Sequence, residues 1–287
     1  ENHPNGVIIN YYIKNIKADD FVKIEIFDQK DELIRSYTNN KDKLLSSSVK
    51  PVSSNSNDID YALSGNNIKS LDPISGGNRL IWDMRYPGYK TFEGMVFYSS
   101  PNVGPKAVPG KYNLRLTFNQ EVTDQEFEII KDPRLVNTKE DFKKQFDFLL
   151  KVRNEVSNAN QAIIDIRDLR KDLDYVLDKS NKNKNINSVI DEFLDELHII
   201  ENNIHMTKNQ SRQDPLNYGI RINNRLAFLM ADSQRGDYPP TDQSLDFFIE
   251  VKKELDVELK SLNKISNKYI ESINSLIANS GIKFINN

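Results

Sequence analysis

The sequence predicts a multidomain protein, all-β in its first part and all-α in its second. Apolar residues alternate with period two from about residue 7 to 130, the signature of half-buried strands. Beyond residue 138 they recur every three or four positions, the signature of amphipathic helices. Asp132-Pro133 marks the change, because a residue ahead of proline avoids helical backbone. The expected domains are therefore 1–133 and 134–287, and 287 residues suffice to bury a core in each.

In Val22-Lys23-Ile24-Glu25-Ile26-Phe27, residues 22, 24 and 26 share one face. Gln29-Lys30-Asp31-Glu32 is a polar turn, and Leu33-Ile34-Arg35-Ser36-Tyr37 returns as the second arm of a hairpin. Tyr112, Leu114, Leu116 and Phe118 alternate likewise, as do Phe127 and Ile129, with a turn at Asn119-Gln120. Two insertions interrupt this part. Residues 38–72 are rich in Ser, Asn and Lys and read as a long mobile loop, with Ile59, Tyr61, Leu63 and Ile68 as its apolar residues. Residues 86–106 are rich in aromatic residues, glycine and proline.

Thr138 is the expected N-cap of the first helix, with Asp141 reaching back to it. The stripe Phe142, Phe146, Leu149, Val152, Val156, Ala159, Ile163, Ile166, Leu169, Leu173 and Val176 predicts one helix of about ten turns. The polar stretch 179–185 interrupts it. A second stripe follows through Ile186, Ile190, Phe193, Leu197, Ile200 and Ile204, with Asp214-Pro215 as its stop. A shorter helix carries Ile222, Leu226, Leu229 and Met230. Thr241 then caps a last long helix, striped by Leu245, Phe248, Leu255, Leu259, Leu262, Ile265, Tyr269, Ile273 and Leu276. Such stripes stay exposed unless the helices pack side by side, and short loops make neighbours antiparallel.

Composition narrows the function classes. Thirty-nine Lys and Arg nearly balance 42 Asp and Glu, so no basic surface points to nucleic acid or an anionic membrane. No apolar run reaches the roughly 20 residues of a membrane-spanning helix. Cysteine is absent, which excludes disulfides, thiolate metal sites and cysteine nucleophiles. Residues 1–6 read as a linker into the apolar segment 7–13, which suggests a chain that starts inside a longer protein, although a mature terminus left by processing has the same look.

Leu80-Ile81-Trp82-Asp83-Met84-Arg85 and Ala107-Val108-Pro109-Gly110-Lys111-Tyr112, with the 22–27 and 33–37 arms, resemble the Ig-like domain of the flagellar hook-capping (FlgD) type. That likeness implies an Ig-like antiparallel β-sandwich ahead of an antiparallel long-helix bundle. Its expected structural core is Trp82 as the plug, Asp83 as a turn tie, Pro109-Gly110 as a tight turn and Tyr112 opening a strand. Met84 stands where that family usually has glycine, and residues 86–106 are extra.

Over nearly its whole length the chain is similar to the C-terminal segment of bacterial sortilin-like BNR-repeat β-propeller proteins, often labelled glycosyl hydrolases. The segments that carry this likeness are Asn10–Lys14, Ile81–Pro87, Gly94-Met95, Gly104–Gly110, Lys131–Arg134, Gln145–Leu149, Ile166–Arg170 and Gln213–Tyr218. It implies an exported bacterial protein (periplasmic, outer-surface or secreted) with an N-terminal propeller of the same polypeptide as partner. Any hydrolase activity of the parent would centre on that propeller. The expected role of this segment is then a non-catalytic accessory one, with a protein or glycan as further partner. The alternatives are a contribution to a glycosidase site and a carbohydrate-binding module.

Within the chain, chemistry-bearing groups are few, and no cofactor is expected. His198, Glu201 and His205 have i, i+3, i+7 spacing but read better as residues flanking a buried helix stripe. Glu192, Asp195, Glu196, Glu250 and Glu254 offer carboxylate pairs of the kind glycoside hydrolysis needs, though charged helix stretches are usually solvated faces. Two candidate interaction surfaces remain. One is the aromatic set Tyr86, Tyr89, Phe92, Phe97 and Tyr98. The other is the polar set Arg212, Asp214, Asn217, Tyr218 and Arg221, which better suits a tie for a long interhelix connection.

Overall fold

The structure, a computed structural model, describes residues 4–40, 68–180, 183–278, 280–283 and 285. Among these, strands precede helices, so the chain combines a β region with an α region. The strands are β1 (Val7–Ile13), β2 (Val22–Phe27), β3 (Leu33–Thr38), β4 (Ile68–Ser70), β5 (Gly76–Trp82), β6 (Gly110–Phe118) and β7 (Glu121–Ile129). The helices are α1 (Lys139–Lys179), α2 (Lys184–Ile204), the single turn α3 (Pro215–Tyr218), α4 (Ile222–Asp232) and α5 (Asp242–Ile277).

Packing groups the chain into two compact units that do not follow chain order. The first holds Glu1–Glu93, Pro101–Arg153 and Ala231–Pro240; the second holds Gly94–Ser100, Asn154–Met230 and Thr241–Asn287. Strand gives way to helix between Ile129 and Lys139, but the first turns of α1 belong by contact to the β-rich unit.

In the first unit, β1 and β5 form an antiparallel pair, while the other strands form a sheet of order β4-β3-β2-β6-β7. Its pairings are antiparallel except for β3 with β4. One core draws from both sheets: Ile9 and Ile13 of β1 and Trp82 of β5 join Val22, Ile24, Ile26, Ile34, Tyr37 and Tyr112. Two polar turns set the registers. Asn119 takes a left-handed φ of 53° and closes β6 onto β7 in a two-residue hairpin, while its side-chain oxygen accepts the Phe21 N–H at 2.8 Å. Asp31, at φ 59°, lies in the β2–β3 turn, where Asp28 Oδ1 accepts the N–H groups of Lys30 and Glu32.

Two expectations change here. Alternation holds on β2 but fails on β3, where Ile34 through Thr38 are all buried. The cause lies in Arg35, which is buried with its Nη2 donating to the carbonyls of Arg85 and Tyr86 at 3.2 Å each, so a loop covers the face expected to meet solvent. The stretch expected to be one loop over 38–72 ends in order: Ile68–Ser70 pairs in parallel with Ser36–Thr38, and Leu71 enters the core. Its middle, with Ile59, Tyr61 and Leu63, lies outside the described residues.

Helix α1 begins on a reciprocal cap. Thr138 Oγ1 accepts the Asp141 N–H at 3.2 Å, and Asp141 Oδ2 accepts the Thr138 N–H at 2.9 Å. Its 41 residues span about 61 Å. In the second unit, Ser180 with Asn187 and Arg170 with Glu201 show that α1 and α2 run antiparallel. Phe193 stacked on Tyr269 and Asn203 bonded to Glu258 show the same for α2 and α5. Helix α2 stops at Ile204, well before Asp214-Pro215, because His205 turns to extended backbone while its N–H still reaches the Glu201 carbonyl. The α5 stripe departs from expectation at both ends. Leu245 and Leu276 are exposed, whereas Val251, Ile270 and Ile277 are buried, because 3.6 residues per turn carry the buried line around a 36-residue helix.

Candidate functional site

The segments around Trp82–Arg85 and Lys106–Ala107 meet in the first unit. Arg85 and Lys106 form an antiparallel bridge, the Ala107 N–H donates to the Met84 carbonyl at 2.6 Å, and Tyr86 N–H donates to Pro105 O at 2.9 Å. Asp83 Oδ1 accepts the Arg85 N–H at 3.1 Å, a tie two residues on that closes the turn as its carboxylate was expected to do. Met84 inside that turn has φ 57°, a left-handed backbone that glycine adopts at no steric cost. Gly104 is fixed by space, since a Cβ there would sit 1.9 Å from the Tyr86 carbonyl oxygen.

Beside this junction lies a cavity of about 270 Å3. Its apolar lining includes Met84, Ile129, Leu135 and the α1 residues Phe142, Phe146 and Leu149. Arg85, Lys106, Lys131, Asp132 and Asp237 supply the charge. Arg85 Nη1 donates at 2.8 Å to both Gly104 O and Gln234 Oε1, and its Nε and Nη2 donate to no acceptor among the described residues. Burial pushes the Arg85 pKa down, opposed by the more distant charges of Asp83 and Asp237. Lys131 Nζ is spent on the carbonyls of Leu135 and Asn137, and Asp132 is clamped by Arg134.

The five aromatic residues of the insertion do not form one exposed surface. Tyr89 and Phe92 are 1% and 5% exposed, Tyr86 packs edge-on against Phe146 with centroids 4.7 Å apart, and Phe97 lies against His205. Only Tyr98 of the five is exposed, at 38%, and its backbone is held from both sides by the Asn224 amide. The inner part of the loop is tied by Asn102, which bonds the Tyr89 N–H at 2.8 Å and the Tyr89 carbonyl at 2.9 Å. An insertion with this many amide ties and no regular ladder satisfies its backbone through side chains. Of the expected core set, Trp82 and Tyr112 are buried. Asp83 is exposed and ties its turn, while Gly110, expected in a tight turn with Pro109, is instead the first residue of β6, paired with Ile129.

In the polar set, Asp214 is a backbone tie: its Oδ2 accepts the N–H groups of Gln210 and Ser211 at 2.7 and 2.8 Å. Arg212, Asn217, Tyr218 and Arg221 are exposed, and Lys208 sits 5.8 Å over the Tyr218 ring. Arg221 also lines an open groove of about 430 Å3 with Asn203, Arg225, Glu254 and Glu258. There Arg225 bonds Glu254 at 2.6 Å, lies 3.8 Å from Glu250 and stacks on Phe247. The Glu250–Glu254 pair is thus tied to one guanidinium, and Glu196 accepts from the Tyr269 hydroxyl.

The second unit also holds a buried polar cluster, of which the sequence spacing singled out only Glu201 and His205. Glu201 is buried and takes both Arg167 and Arg170. Next to it, Asn223 Nδ2 reaches Asn160 Oδ1 at 3.0 Å and His205 Nδ1 at 3.3 Å. Burial first, then the Arg167 charge, lower the His205 pKa to about 4, against opposing effects of Glu201 and Asn223. Asn160 and Asn223, polar residues on helix faces that also carry Val156, Ile163, Leu226 and Ala227, are the signal that could have found it. His198 is exposed and bonded to Asn202, so it does not join His205. Among the described residues no group of three metal-ligating side chains forms, and no helix is long and apolar enough to cross a membrane.

Comparison with protein-family models, with curated proteins and with solved structures returned no match. The functional reading therefore rests on the residues and their geometry.

Proposed function

We propose that this chain is a non-catalytic interaction segment, an Ig-like sandwich of FlgD type followed by an antiparallel helical bundle. In this reading it belongs to an exported bacterial BNR-repeat protein and packs against that protein's propeller or a partner. The supporting observation is the Trp82–Arg85 turn. Trp82 is fully buried as the plug, Asp83 ties the turn, and Met84, where that family usually has glycine, takes a left-handed backbone. Tyr112 adds weight. Near the start of β6, its hydroxyl donates to the Val108 carbonyl at 2.7 Å, the geometry of an Ig tyrosine corner.

The β1–β5 pair supplies a surface for such packing. The face turned from Trp82 carries Ile8 opposite Ile81, Asn10 opposite Arg79, and Tyr12, which is 71% exposed. Mixed apolar and polar character of this kind suits a contact between domains of one chain. Mixing this chain with a separately produced upstream region tests the reading. The expected result is a one-to-one complex in sedimentation, weakened by Tyr12→Ala with Ile81→Ser. An upstream region without BNR repeats, or no complex, contradicts it.

A further inference from the structure

We propose that the cavity at the Arg85–Lys106 junction binds a small organic carboxylate, its charge on Arg85 and its apolar body against Met84 and the α1 aromatics. This inference stands apart from the propeller reading, because every lining residue belongs to the first unit.

The charge balance carries the argument. Three cations line the cavity, and none forms an ion pair with a carboxylate of the described residues. Lys131 is satisfied by backbone carbonyls, and Lys106 at the exposed rim bonds no group among the described residues through its side chain. Arg85 keeps its Nε–H and Nη2–H donors, the edge that matches a carboxylate bidentately. Of the two lining anions, Asp132 already belongs to Arg134, and Asp237 lies beyond ion-pair distance of Arg85. A partly desolvated guanidinium whose nearby carboxylates, Asp83 and Asp237, do not pair with it costs free energy, and an anion bound directly on it would relieve that cost. The remaining lining is apolar and aromatic: Phe142, Phe146, Leu149, Ile129 and Met84. It favours a carboxylate with a hydrocarbon or aromatic body over a fully hydrated ion such as phosphate.

Methionine supplies the reporter. The chain has four, and of these only Met84 lines the cavity, so Met95, Met206 and Met230 are internal controls. Carbon-13 methyl NMR of the full chain is recorded against benzoate and against the neutral benzamide. The expected result is a saturable shift of the Met84 methyl with benzoate, little response to benzamide and unchanged control methyls. Arg85→Gln should weaken benzoate by about tenfold or more, the loss of a charge-assisted bond. Lys106→Gln, which breaks no side-chain bond among the described residues, should weaken it by a smaller factor and serves if Arg85→Gln does not fold. No Met84 shift, equal response to benzamide, or undiminished affinity in the folded variants overturns the proposal.

Discussion

Replacing Trp82 by alanine is expected to lower the unfolding free energy by about 3–5 kcal/mol, the range for a large aromatic truncated in a packed core. Trp82 is fully buried, with Tyr112 and Phe127 edge-on at 5.8 and 6.1 Å, and its Nε1–H donates to the Arg85 carbonyl at 3.3 Å. Removing the indole therefore opens a void among residues from both sheets and leaves the turn carbonyl without its indole donor. Urea unfolding of the whole chain measures the effect. Tyr12→Ala, on the exposed face of the neighbouring strand, is the control and should stay within about 0.5 kcal/mol. A similar loss for both variants would mean that Trp82 is not the centre of the core.

The second large effect is on pH dependence. In the folded chain His205 titrates near 4, below its ordinary value of 6.5, because it is 2% exposed and stands near Arg167. The unfolded chain thus binds this proton first as pH falls. The stabilisation is complete above pH 6.5 and is lost progressively down to about pH 4. A displacement from 6.5 to about 4 corresponds to about 3 kcal/mol. Burial sets the sign and Arg167 adds to it by disfavouring the imidazolium, while Glu201 and the Asn223 hydrogen bond oppose them. Denaturation midpoints at about pH 7 and about pH 4.5 should differ clearly in the parent chain. His205→Gln, which cannot charge, should remove much of that slope. An equal slope in the variant would place the pH dependence elsewhere.

Most elements are legible in the sequence because they follow local rules. The period of two on β2, the Asn119-Gln120 hairpin, the Thr138–Asp141 cap and the α1 stripe each depend on residues a few positions apart. The rest depends on residues far apart. Arg35 is buried because a loop 50 residues away covers it, and β4 exists because β3 offers it an edge. The Arg85 cavity gathers residues from 84 to 237, a convergence that no spacing rule reveals. The aromatic insertion shows the same limit. Its composition suits an exposed binding loop, yet Tyr89 and Phe92 are buried and Asn102 and Asn224 hold its backbone. By spacing alone His205 is a boundary residue beside a stripe; in the fold it is the extended cap that ends α2 inside a polar cluster.

In the proposed reading the chain acts by holding and contacting other parts rather than by chemistry of its own. Of its candidate carboxylates, Glu250 and Glu254 share Arg225 and Glu196 accepts from the Tyr269 hydroxyl, while Glu192 and Asp195 are exposed on α2. A glycosidase needs one such group free as acid and another as base or nucleophile. Incubating the purified chain with a panel of chromogenic glycosides is the direct measurement. The account predicts release no faster than in buffer. Turnover by this chain alone, abolished by Glu254→Gln, would contradict it.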